Sequence, residues 1–191
     1  PVHCPQSLRL ICLSWEGIIA SMQLVLHPQA RRSIDSLADN PHGTVLLHGL
    51  SGVGKFTAAL EVARRLNCHG CNDGSCSSCR QASGGNHPNV ITVTPDDKGK
   101  IGIEEVHDLN QQLKYAQYQV AGKRVVIIKD TQVLTIPAAN ALLKVLEEPP
   151  KDSLIILTAT SPSALLSTIV SRARPIHIPT PALESVRQFL I

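Results

Sequence analysis

Aromatic side chains are scarce in this sequence. Phe, Trp and Tyr make up 3% of its 191 residues. Binding of single-stranded nucleic acid usually combines a basic groove with aromatic stacking platforms, so the composition fits that function class poorly. A charge excess is missing too: 18 Lys and Arg face 15 Asp and Glu, for a formal net charge of +3. Contact with DNA is therefore expected to be weak or to run through partners. Long apolar runs are absent. The longest aliphatic stretches, Val125–Ile128 and Leu154–Leu157, are four residues each, whereas a membrane helix needs about 20. No membrane partner is expected, and the expected location is cytoplasmic. Methionine occurs once, as Met22, in a chain that begins with Pro1. Leu8–Ala20 is fairly apolar, but Arg9, Trp15 and Glu16 break it and no clean small-residue cleavage site follows, so it does not read as a signal peptide. Residues 1–21 are set apart as an N-terminal extension.

What is present suits a folded domain. At 43% hydrophobic and 17% charged residues, with both signs interspersed, the composition argues against disorder. Beyond Met22, short β-rich runs alternate with helical stretches. Thr44–His48, Val90–Thr94, Val125–Lys129, Leu154–Thr158 and Pro175–Ile178 read as strands. Phe56–Leu66, Ile103–Tyr118 and Pro137–Glu148 carry apolar residues at helical spacing, and Pro149-Pro150 ends the last of these abruptly. Ser161 before Pro162 is expected to cap another helix, and Thr180-Pro181 to open a final one. This alternation implies an α/β fold with a parallel sheet covered by helices on both faces.

Between the first strand and the first of these helices lies a phosphate-loop pattern. Gly49, Leu50, Ser51, Gly52, Val53, Gly54 and Lys55 fit G-x-x-x-x-G-K. Glycines allow backbone N–H groups to turn inward around phosphate oxygens, the helix N-terminus adds partial positive charge, and the lysine reaches the terminal phosphates. The next position should carry a Ser or Thr hydroxyl to ligate magnesium, but it holds Phe56. Either Thr57 substitutes through a local distortion, or the hydroxyl ligand is absent; the favoured expectation is absence, because one residue rotates Thr57 by about 100° around a helix. The strand Val125–Ile128 should likewise lead into a metal-ordering Asp and a water-activating Glu, yet Lys129 and Asp130 follow it. A lysine there repels Mg²⁺. These two departures argue against ATP hydrolysis by this chain and against bound magnesium. Nucleotide binding is left open, since Lys55 and Lys129 together could neutralise a nucleotide without metal.

Four of the six cysteines crowd together. Cys68, Cys71, Cys76 and Cys79 form C-x2-C-x4-C-x2-C, with Asn72, Asp73, Gly74 and Ser75 supplying a turn between the pairs. Four thiolates can complete a tetrahedral zinc shell with no open position, so the expected role is structural. His69 and His87 lie nearby as bystanders, and Cys4 and Cys12 carry no reading.

The phosphate-loop helix, the four-cysteine module, the run Asn140-Ala-Leu-Leu-Lys144-Val-Leu-Glu147-Glu148-Pro149-Pro150 and Ser171-Arg172 together resemble the clamp-loader AAA+ subunits of bacterial DNA polymerase III. The resemblance runs from about Met22 to the end. It implies an AAA+ P-loop NTPase domain over 22–179, built on a parallel five-stranded sheet with a zinc module inserted at 68–79. Residues 180–191 would then begin a helical lid, and the chain would be a fragment or a truncated product. By the same resemblance, such subunits form a five-membered ring with tau/gamma and delta types that opens the sliding clamp and loads it onto primed DNA. The losses at Phe56 and Lys129 resemble the delta-prime type, which does not hydrolyse ATP.

The family's trans-acting arginine sits in a Ser-Arg-Cys motif. Here the motif reads Ser171-Arg172-Ala173. A rigid, always-charged guanidinium suits projection into a neighbour's triphosphate. Residue chemistry alone also allows Arg172 to cap the preceding helix, and the resemblance favours the finger. Arg174 is expected to be structural or solvated. Lys144, Glu147 and Glu148 are expected to face solvent, on a helix whose core face is Ala141, Leu142, Val145 and Leu146. The family's last three cysteines usually lie closer together than Cys71, Cys76 and Cys79 do.

Three functions compete on this reading. One is a non-hydrolysing stator that supplies Arg172 in trans. The second is an ATP-hydrolysing tau/gamma-type subunit in which Thr57 and Asp130 act as imperfect replacements. The third is a zinc-stabilised P-loop interaction module with no loader role.

Overall fold

The aliphatic runs become five strands of one sheet: β1 (Gly43–His48), β2 (Val90–Val93), β3 (Arg124–Ile128), β4 (Ser153–Ala159) and β5 (Arg174–His177). The computed structural model describes residues 27–68, 70, 74–115, 122–182 and 186–187. Every pairing is parallel, in the order β2-β3-β4-β1-β5. β4 is buried from end to end, and β3 is buried beyond its first residue. Successive strand residues point to opposite faces. Val126, Ile128, Ile155 and Leu157 accordingly enter one core, while Val125, Ile127, Leu154 and Ile156 enter the other. Continuous apolar strands are what a parallel sheet covered on both faces requires.

Helices seal both sides. α1 (Pro28–Asp39) and α2 (Lys55–Leu66) cover one face, α1 through Ala30, Ile34 and Leu37 and α2 through Ala58, Ala59, Val62 and Ala63. A short α3 (Ser77–Ser83) packs against α2. The other face is covered by α4 (Ile103–Tyr115) and α5 (Ile136–Glu147), through Val106, Leu109, Leu142 and Leu146. Thr135 caps α5 by accepting the backbone N–H of Ala138. Each fully buried Leu or Ile in these cores contributes about 1.5–3 kcal/mol relative to exposure.

The structure corrects the expected elements in several places. α1 and α3 form where no element was expected. Ala30, Ile34 and Leu37 form a helical stripe that opens behind Pro28 on α1, and α3 is hidden in the cysteine loop. The segment after Ser161 is not a helix: Ser161 caps a 3₁₀ turn (Pro162–Ala164), and a four-residue α6 (Ser167–Val170) follows. Thr94, Lys129 and Ile178 lie just beyond the strands they were expected to end. Residues 1–21 and most of 180–191 fall outside the described residues. Among the described residues no helix is long and apolar enough to cross a membrane.

Candidate functional site

The glycine loop leaves the C-terminal end of β1 and enters α2. Gly52 and Gly54 adopt positive φ of 81° and 88°, conformations that side-chain-bearing residues rarely take. Gly49 is required by contact: a Cβ there would lie 2.2 Å from the carbonyl oxygen of Ile178. Val53 packs against the core beneath the loop. Lys55, only 7% exposed, donates from Nζ to the carbonyl oxygens of Gly49 at 2.8 Å and Leu50 at 2.7 Å. The lysine thus holds the loop by its own backbone. Burial lowers its pKa, and the nearby Asp130 carboxylate opposes that shift.

The two departures from the phosphate-loop pattern meet in space. The Lys129 ammonium stands over the Phe56 ring, 5.5 Å from its centroid, a cation–π contact worth about 0.5–1 kcal/mol where solvent reaches it. Neither side chain has an oxygen to offer a divalent cation, and the lysine adds a positive charge beside the loop. Asp130 has a left-handed backbone at φ 52° and donates its N–H to Thr158 Oγ1 at 2.9 Å. Its carboxylate accepts from Gln132 Nε2 at 3.4 Å and makes no capping bond to the 3₁₀ turn (Thr131–Val133) that it precedes. Thr57 sits half-buried on the first turn of α2.

Arg172 occupies the opposite edge of the sheet. In the parallel register Val45 pairs with Arg174 and His48 with His177. Residues just before β5 therefore sit where the strands begin, while the glycine loop sits where they end. The six residues of β1 separate the two edges by roughly 20 Å, a gap that one side chain cannot bridge. The guanidinium is half-exposed and bound on three sides. Nε and Nη2 donate to Glu147 Oε1 at 3.1 and 2.7 Å, and Nη1 donates to the Thr168 carbonyl at 2.9 Å and to Ser171 Oγ at 3.3 Å. The Thr168 bond ties Arg172 to the last turn of α6, so helix-end contact and exposure coexist. Ala173 is buried beside it, and Arg174 is exposed.

Three of the four proposed metal ligands come together. The sulfurs of Cys68, Cys76 and Cys79 lie within 4.8 Å of one another, a spacing compatible with ligands of one small ion; Cys71 lies outside the described residues. Cys68 follows the end of α2, Cys76 precedes α3, and Cys79 lies on its first turn. The backbone N–H of Cys79 donates to Cys76 Sγ at 3.4 Å, and Arg64 Nη1 donates to Cys79 Sγ at 3.6 Å. A buried polar chain ties this module to the sheet. Ser78 Oγ donates to the Asn67 carbonyl and contacts His87 Nε2, while His87 Nδ1 accepts the N–H of Asn89. With both ring nitrogens so engaged, His87 is a structural residue rather than a metal ligand. His69 lies outside the described residues.

Residues 31–182 match the family model described as DNA polymerase III, delta subunit. The chain belongs to the DNA polymerase III delta-prime family. A delta-prime subunit of Yersinia pestis is 41% identical over 138 residues, which are 69% of this chain and 40% of the relative. The tau subunit of Bacillus subtilis is 36% identical over 135 residues, 68% of this chain and 23% of that one. Among solved structures, a gamma subunit-related protein of Thermotoga maritima superposes with a TM-score of 0.62 at 24% identity, covering 80% of this chain and 46% of that one. The chain thus spans less than half the length of these relatives, and the shared fold is that of the AAA+ class.

Two residues of this delta-prime-family chain escaped the sequence reading. Thr158, buried one residue before the end of β4, joins β4 to the turn after β3 through Asp130; its signal is a hydroxyl directly after the aliphatic run Leu154–Leu157. Glu147 faces solvent as expected, half-exposed, and is also the main partner of Arg172 across 25 residues of sequence.

Proposed function

We propose that this chain is a ring member of the DNA polymerase III clamp loader that hydrolyses no ATP itself and supplies Arg172 to the ATP site of a tau/gamma-type neighbour. One observation carries the reading: Phe56 and Lys129 pair with each other at the two positions where an ATPase needs a hydroxyl and a carboxylate. Magnesium chemistry has no footing there. The strand register supports action in trans, because Arg172 and the glycine loop lie at opposite ends of β1. In the proposed mechanism the guanidinium enters the neighbouring subunit's site and stabilises the charge that develops on the γ-phosphate. ATP state is then sensed across the subunit boundary, while this subunit serves as a stator. The delta subunit completes the ring, and the sliding clamp and primed DNA are reached through the complex.

Cys68, Cys71, Cys76 and Cys79 would hold one structural zinc ion. The metal would cross-link the end of α2 to α3, and no reaction step runs through it.

The test is ATP turnover by a tau-type partner assembled with the natural polypeptide that carries this chain. Arg172→Ala is expected to abolish turnover at the one site it serves, a loss of about 10³-fold there, with assembly intact. Unchanged turnover in an intact complex would refute the finger.

A further inference from the structure

Glu147 stands in an unfavourable place for a carboxylate. It ends α5, where the exposed carbonyls of the last helical turn already carry partial negative charge. Local helix stability would favour Lys or Arg there. Its side chain instead turns to Arg172, accepting Nε and Nη2 on a single oxygen. With the Thr168 carbonyl and Ser171 hydroxyl on Nη1, four hydrogen bonds hold a group that has five N–H donors. This chain favours one orientation of the guanidinium before any neighbour arrives, and one Nη2 N–H is left for a ligand from outside.

We propose that Glu147 is the positioning residue of Arg172: it holds the guanidinium in one orientation at the surface, ready for a neighbouring subunit's γ-phosphate. The proposal rests on the finger reading above and names what sets its geometry. A long arginine loses much side-chain freedom on entering a neighbour's site, and the Glu147 clamp removes that freedom in advance. The clamp is also easily exchanged. Both side chains are partly exposed, at 35% and 50%, and ion pairs in such surroundings are weak. The doubly charged γ-phosphate can therefore draw the guanidinium across without a large opposing force. Pro149-Pro150, directly after α5, fixes where the helix stops and so where Glu147 stands.

The test compares Glu147→Ala, Glu147→Gln, Arg172→Ala and the double variant Glu147→Ala/Arg172→Ala. All are made in the natural polypeptide, assembled with tau-type ATPase partners and read as kcat and KM for ATP. Glu147→Ala is expected to lower kcat at the served site by about tenfold with KM unchanged, since small misplacements of a catalytic group cost up to ~10²-fold. Glu147→Gln keeps an acceptor oxygen and is expected to recover most of that loss. The double variant should be no slower than Arg172→Ala alone, because a positioning residue has nothing left to position. If Arg172→Ala slows turnover while Glu147→Ala leaves it unchanged or faster, the positioning role is refuted and the finger stands. If Arg172→Ala has no effect in an intact complex, the finger reading fails and takes the positioning role with it. A matching kcat loss in the double variant that exceeds Arg172→Ala would assign Glu147 a structural role instead.

Discussion

The two edges of the sheet have kept different things. At the edge where β1 ends, the phosphate loop keeps its backbone, with positive-φ glycines and a buried Lys55, while Phe56 and Lys129 pair beside it at the two positions where the proposed reading puts the lost metal ligands. At the edge where β5 begins, Arg172 keeps a charged, half-exposed group paired with Glu147, although the residue after it is a buried alanine. The comparison separates shape from reactivity. The loop's shape is held by packing, Gly49 against the Ile178 carbonyl and Lys55 against the loop's own carbonyls, and neither contact needs a nucleotide. Reactivity of the magnesium-dependent kind needs oxygen ligands, and on the proposed reading the side chains of Phe56 and Lys129 withdraw them from two positions.

The shape half of this comparison breaks first at Gly49. Gly49→Ala would press a methyl group into the Ile178 carbonyl and is expected to destabilise the fold by about 2–4 kcal/mol. Urea unfolding of the chain checks this, and a change within experimental error would mean that the loop's shape does not depend on that contact. The reactivity half is sharpened by Phe56→Thr combined with Lys129→Asp, which returns a hydroxyl and a carboxylate. Magnesium is then expected to tighten binding of a fluorescent ATP analogue by about tenfold over EDTA, whereas Phe56→Thr alone should gain little while Lys129 stays. Equal binding by the double variant with and without magnesium would show that more than these two positions had been lost.

The smallest expected effect lies beside the loop. His48 and His177 pair in register at the strand ends, with ring centroids 5.1 Å apart. Burial first, and the His177 charge second, lower the His48 pKa below its ordinary value of 6.5. The unfolded chain therefore takes up the proton more readily. This contribution to stability is present above about pH 6.5 and is lost as pH falls through the lowered folded value. Thermal midpoints should drop slightly on acidification, and His48→Asn should flatten that slope.

Much of this was legible in the sequence because the features are local. Val125–Ile128 and Leu154–Leu157 read as buried parallel strands from four consecutive aliphatic residues each, and the glycine spacing placed the loop between a strand and a helix. Phe56 and Lys129 were each recognisable as departures. Their contact was not, since no local pattern links α2 to the turn after β3. The Glu147 clamp on Arg172 was hidden for the same reason, reinforced by a run of charges that resembles an ordinary solvated helix end. α1 was legible on the same local terms, since Ala30, Ile34 and Leu37 repeat at helical spacing behind Pro28.

The central claim is that the chain's own pocket supports no magnesium chemistry. The most direct measurement is ATP turnover by the purified polypeptide alone, with magnesium present and a Lys55→Ala variant as the control for contaminating activity. The account predicts no turnover above that control; magnesium-dependent hydrolysis that disappears with Lys55→Ala would contradict it.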